Sequence, residues 1–140
     1  MLKIGIVGAT GLRASAFKTG IESCGRAKIT AICDLSQEKV DALARDWGVK
    51  GYTDYTTMLD DAKPDAVIVS TPVFAHVEQS VAALRRGIHV YSEIPAAAAM
   101  EDCKKHKRLL PAVFRGKQLC LRPCGGKRLH IVNQMHPARV

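Results

Sequence analysis

The sequence predicts an α/β fold, a doubly wound parallel sheet with helices on both faces, over roughly the first hundred residues. Three observations predict it. Short apolar runs alternate with segments of helical period. Two of those runs, Ile4–Val7 and Ala66–Val69, are apolar throughout, as strands covered on both faces are. Glycines and prolines stand where one element must give way to the next.

Each element can be justified in turn. Leu2–Val7 is an apolar run halted by Gly8-Ala9-Thr10-Gly11, a buried strand entering a tight turn. Ala14–Cys24 carries Phe17 and Ile21 one helical turn apart, and Gly25 closes it. Ile29–Cys33 is the second strand, ending at Asp34. Ser36 is placed to cap a helix with Val40, Leu43, Ala44 and Trp47 on one face, and Gly48 stops it. Trp47 is read as packing. Val49–Tyr52 is a short third strand and Tyr55–Asp61 a short helix. Pro64 precedes the strand Ala66–Val69. Thr71-Pro72 breaks that strand, and Val77, Val81 and Leu84 mark a helix ending at Gly87. Ile88–Tyr91 is the fifth strand.

Charge divides the chain in two. Of 21 Lys plus Arg and 13 Asp plus Glu, residues 1–102 hold 11 basic and all the acidic groups. Residues 103–140 hold the other 10 basic groups and no acid, with Pro111, Pro123, Pro137 and no apolar period. The net +8 is therefore a property of the tail and not of the patterned region. Such a tail attracts nucleic acid only non-specifically, and Phe114 is the single aromatic after Tyr91, so nucleic-acid binding is not the expected function. Cys120, Cys124, His130 and His136 are too closely spaced for a common zinc finger, and no metal site is expected. The longest uncharged apolar stretch, Ile94–Met100, is far below the ~20 residues of a membrane span. The start is too short before its glycines for a secretory signal. The five cysteines form no framework, so a cytoplasmic protein with reduced thiols is expected.

A turn from a first strand into a first helix presents backbone N–H groups and the positive end of a helix dipole, which suits a diphosphate. Here the turn reads Gly8-Ala9-Thr10-Gly11-Leu12-Arg13, with Thr10 and Arg13 where the dinucleotide fingerprint has its second and third glycines. Thr10 either crowds a phosphate or donates its hydroxyl to it, and Arg13 either adds a charged contact or faces solvent. Asp34 ends the second strand, where a carboxylate accepts from both ribose hydroxyls and repels a 2′-phosphate, favouring NAD over NADP. The plainer alternative is a tight turn followed by a capping aspartate. If the first and fourth strands are neighbours, Ser70-Thr71-Pro72 faces the turn, and Ser70, Thr71, His76 and Glu93 meet the nicotinamide half. By position in a first helical turn alone, His76 is an ordinary, partly exposed histidine.

Asp65-Ala66-Val67-Ile68-Val69-Ser70-Thr71-Pro72-Val73-Phe74-Ala75-His76, then Ala83-Leu84-Arg85-Arg86-Gly87-Ile88-His89-Val90, then Glu93-Ile94-Pro95, resembles the Gfo/Idh/MocA oxidoreductase family. The likeness runs from Lys3 to about Lys105 and includes Tyr52-Thr53-Asp54-Tyr55 with Met58-Leu59. The resemblance implies a Rossmann domain binding NAD(P) over residues 1–106. It carries Gly8 and Gly11 to the diphosphate, Asp34 to the adenosine ribose, Ser70, Thr71, Pro72 and His76 to the cofactor lining, and Glu93 to the nicotinamide ribose. It further implies a sugar or polyol-like substrate in an intact relative. Two departures stand out: Ile94 replaces the lysine of the family's Glu-Lys-Pro, and nothing corresponds to the family's second, substrate-binding domain. Residues 107–140 are accordingly expected to be an irregular basic tail, from an out-of-frame or truncated ending, on a chain that lacks turnover alone and self-associates through exposed apolar surface. The alternatives are a non-catalytic NAD-binding or sensor module and a basic-tailed nucleic-acid-binding protein.

Overall fold

Strand β1, Leu2–Val7, lies at the centre of the sheet, which is why its apolar side chains show no alternation. The computed structural model describes residues 1–98. The elements follow as α1 (Ala14–Cys24), β2 (Ala27–Cys33), α2 (Gln37–Trp47), β3 (Lys50–Tyr52), α3 (Tyr55–Ala62), β4 (Ala66–Val69), α4 (Val73–Arg85) and β5 (His89–Ser92). The five strands are parallel, in the order β3-β2-β1-β4-β5.

Two clusters of side chains cover the two faces of this sheet. On one, Ile4 and Ile6 of β1, Ile32 of β2 and Ile68 of β4 pack with Val40 of α2 and, less deeply, Phe17 and Ile21 of α1 and Trp47 of α2. On the other, Val7, Ala31, Cys33, Val67 and Val69 pack with Met58 and Leu59 of α3 and Ala83 of α4. The strand period of two therefore sends alternate residues to different helix pairs, and both sets must be apolar. The doubly wound α/β prediction holds, and Trp47 packs as expected. Phe17 also meets Tyr91 edge-on, with ring centroids 5.7 Å apart.

Element ends differ from the sequence reading where strand pairing or a bond at a helix end decides them. β2 begins at Ala27 because Leu2 and Lys3 pair with Ala27 and Lys28, so even a lysine is drawn into the strand. Val49 lies before β3 because its N–H donates to the Ala44 carbonyl at the helix stop. Ile88 likewise donates to the Ala83 carbonyl, and β5 starts one residue later. Helix α3 extends to Ala62, with the Asp54 side chain accepting from the Thr57 N–H at its start. Ser36 occupies the N-cap of α2 without a side-chain capping bond.

Candidate functional site

The chain winds outward from β1 to β2 and β3, then returns to lay β4 and β5 on the other side of β1. The strand order thus reverses between β1 and β4, and the loops leaving their carboxyl ends diverge to opposite faces. That divergence opens a crevice at the sheet edge.

Gly8 forms the floor on the β1 side. Its φ is +78°, and a Cβ there would lie 2.5 Å from the Ser70 carbonyl oxygen and 2.8 Å from the Thr71 nitrogen. Only glycine fits, both for its backbone angle and for the approach of the two loops. Gly8 and Ala9 donate their N–H groups to the Cys33 carbonyl at 2.9 and 3.3 Å, and Gly11 donates to the Gly8 carbonyl. Helix α1 then starts with Arg13 at its N-cap. A guanidinium has no acceptor, so Arg13 makes no capping bond with the first-turn N–H groups.

Asp34 reaches back to this turn. Its Oδ2 accepts from the Thr10 N–H at 2.8 Å and the Thr10 hydroxyl at 2.6 Å, while Oδ1 accepts from the Leu35 N–H at 2.7 Å. Partial burial pushes the Asp34 carboxyl up. The Thr10 hydroxyl and N–H, the Leu35 N–H and the charge of Lys39 outweigh this and hold it below the usual carboxylate range. The Thr10 hydroxyl has a protein partner. It donates to Asp34, because the second glycine position sits beside the end of β2. Leu35, not singled out from sequence, supplies the third donor, and its place directly after the strand-ending aspartate was the available signal. Burial pushes the Cys33 thiol up to about 12, with Asp34 and Asp54 adding to the shift.

On the other side, the Ser70 N–H donates to the Val7 carbonyl and the Glu93 N–H to the Val69 carbonyl, both at 2.9 Å. The Thr71 hydroxyl donates to Gln79 Oε1 at 2.6 Å, and Pro72 is the N-cap of α4. Gln79 was missed by sequence reasoning, since a glutamine inside a helix carries no motif. His76 is 2% exposed and not the partly exposed residue its position suggested. Its Nε2 lies 2.6 Å from the Thr71 carbonyl and its Nδ1 2.9 Å from the Pro95 carbonyl. A neutral ring donates to one of these at a time. His76 is thus buried between the loop after β4 and the loop after β5.

Arg13 spans the crevice: its guanidinium forms an ion pair with Glu93. Leu12, Leu35, Phe74 and Ile94 are exposed apolar side chains following β1, β2, β4 and β5 respectively, so all four stand along the same carboxyl edge. Beside the turn, toward α2, lies a shallow depression of about 450 Å³ bordered by Thr10, Gly11, Lys39, Leu43 and Trp47. Among the described residues no cluster of three or more His, Cys, Asp or Glu could hold a metal, and no helix is long and apolar enough to cross a membrane. The cysteine–histidine spacing at Cys120–His136 lies outside the described residues.

This arrangement has known counterparts. Residues 2–115 match the GFO_IDH_MocA family, described as an oxidoreductase family with an NAD-binding Rossmann fold. The chain belongs to that family. The match continues past Lys105, where the likeness read from individual motifs stops. Glucose-6-phosphate 3-dehydrogenase of Bacillus subtilis is 30% identical over 102 residues, which are 73% of this chain and 28% of the relative. The WlbA dehydrogenase of Bordetella pertussis, solved with NADH and UDP-GlcNAcA, superposes with a TM-score of 0.75 at 28% identity, covering 80% of this chain and 32% of that one. Scyllo-inositol dehydrogenase of Lactobacillus casei, solved with NAD(H) and scyllo-inositol, gives 0.72 at 28% identity over 81% of this chain and 34% of that one. This Gfo/Idh/MocA chain thus spans about a third or less of the length of these relatives, over their nicotinamide-coenzyme-binding Rossmann fold.

Proposed function

We propose that this chain binds NAD in preference to NADP and serves as the coenzyme-holding part of an oxidoreductase acting on a sugar or polyol-like substrate. The observation that carries the coenzyme assignment is the contact at Gly8. A Cβ there would strike Ser70 and Thr71, so backbone alone floors the crevice at the strand-order reversal. Gly8 and Gly11 admit a diphosphate close to the backbone, and the uncapped start of α1 faces it, with Leu12 and Arg13 alongside. Asp34, held ionised by Thr10 and Leu35, accepts from the adenosine ribose and repels a 2′-phosphate. Ser70, Thr71 and Pro72 line the nicotinamide side, Glu93 approaches its ribose, and His76 keeps the two loops at their spacing. The coenzyme, when bound, supplies the hydride chemistry, while these residues orient it. The sugar or polyol class follows from the names of the relatives.

The test is titration of the full chain with NADH and NADPH, for the parent and Asp34→Ala. NADH is expected to bind more tightly, and the variant to lose much of that preference. Equal affinities in the parent overturn the role of Asp34, and no binding of either overturns the site. A second reading, a module that holds NAD without turnover, is favoured by Ile94, which brings no charge or donor where the family usually has lysine. Formation of NADH with any of a panel of sugars and polyols rejects it.

A further inference from the structure

β1 and β5 are not neighbours, because β4 lies between them. Two strand spacings of roughly 4.8 Å separate their ends, so an ion pair between Arg13 and Glu93 passes over the loop that begins with Ser70 and Thr71. A ligand stretched from Asp34 to Glu93 along this edge runs alongside that pair and ends at the same carboxylate.

The two partners are unequally held. The Glu93 side chain is 14% exposed, and its backbone is fixed by its N–H on the Val69 carbonyl. The Arg13 side chain is 64% exposed, and its backbone stands at the N-cap of α1, the helix end that favours anions. A pair whose cation is this open to water is held weakly on that side and gives way to a stronger anion, and a diphosphate accepts from a guanidinium through several oxygens.

We propose that Arg13 is a phosphate ligand held in reserve by Glu93, moving from the carboxylate to a bound diphosphate and so freeing Glu93 to accept from the nicotinamide ribose. The proposal rests on the dinucleotide reading above. It makes the two halves of the crevice interdependent, since filling the diphosphate subsite releases the acceptor of the other half.

ADP is the probe, because it carries the diphosphate without the nicotinamide ribose. Calorimetric titration of the full chain is made for the parent, Glu93→Gln, Glu93→Ala, Arg13→Ala and the Arg13→Ala/Glu93→Gln double variant. Glu93→Gln and Glu93→Ala are each expected to tighten ADP by roughly two- to fivefold, the worth of an ion pair with one partner open to water. Arg13→Ala weakens ADP, and on that background the Glu93 change has no effect. Unchanged ADP affinity in both Glu93 variants overturns the exchange. Equal tightening with and without Arg13 also overturns it, since Glu93 then acts by simple repulsion. If the parent binds NADH while this cycle is flat, only the exchange falls. If the parent binds neither NADH nor ADP, the dinucleotide reading falls with it.

Discussion

The two banks of the crevice are built from different materials. On the β1–β2 bank, polar partners lie near the surface: three donors converge on the Asp34 carboxylate, and Arg13 extends across open space. On the β4–β5 bank the organising group is buried, with His76 set between the Thr71 and Pro95 carbonyls. A surface network exchanges partners with a ligand at little cost, because water replaces what is lost. A buried one does not, because an abandoned carbonyl has no substitute. The first bank is thus suited to choosing among ligands, and the second to keeping the loops where the first needs them.

The largest effect is expected where the banks touch. Gly8→Ala forces a Cβ toward the Ser70 carbonyl at 2.5 Å in a left-handed backbone, and should cost about 3 kcal/mol or more, read as a fall in the urea midpoint. A loss below about 1 kcal/mol would show that the loops part easily and that the contact is not a rigid floor. Next comes the buried bank. His76→Leu removes the ring set between the two carbonyls and the N–H that one of them accepts from, and should cost about 2–3 kcal/mol, with faster proteolysis near residues 93–98. A variant as stable and as protease-resistant as the parent would erase the distinction between the banks.

The smallest stability effect is expected on the exposed bank. Asp34→Asn should cost about 1 kcal/mol at neutral pH, discounted for solvent screening. The sign with pH follows from the lowered carboxyl. Its stabilisation is fully present above the ordinary carboxylate range and is lost as pH falls through the folded-state value. The gap between parent and Asp34→Asn in urea unfolding should therefore close in acid. A gap that persists there would mean that Asp34 stabilises by packing and not by charge.

Legibility in the sequence followed the range of the interactions. Ala14–Cys24 and Ala66–Val69 were readable to the residue, because a glycine stop or a flanking proline is a local instruction. The starts of β2 and β5 were not, since pairing with β1 and β4 set them. Gly8, Asp34 and Glu93 were named from motif position. The bonds they make were not, because Thr10 reaches Asp34 and Arg13 reaches Glu93 only after the sheet has been assembled. Gln79 went unseen because a glutamine inside a helix does not signal its task, whereas the Leu35 bond to Asp34 is local and its place after the aspartate was the signal.

By itself the sequence determined a parallel sheet with helices on two faces and a glycine turn at the end of its first strand, since period, punctuation and backbone freedom act over a few residues. Tertiary structure alone decided that His76 is buried as a tie, that Thr10 turns to Asp34, and that Arg13 crosses to Glu93. Those outcomes depend on which strand ends become neighbours, and a side chain selects its partner by distance in space and not along the chain.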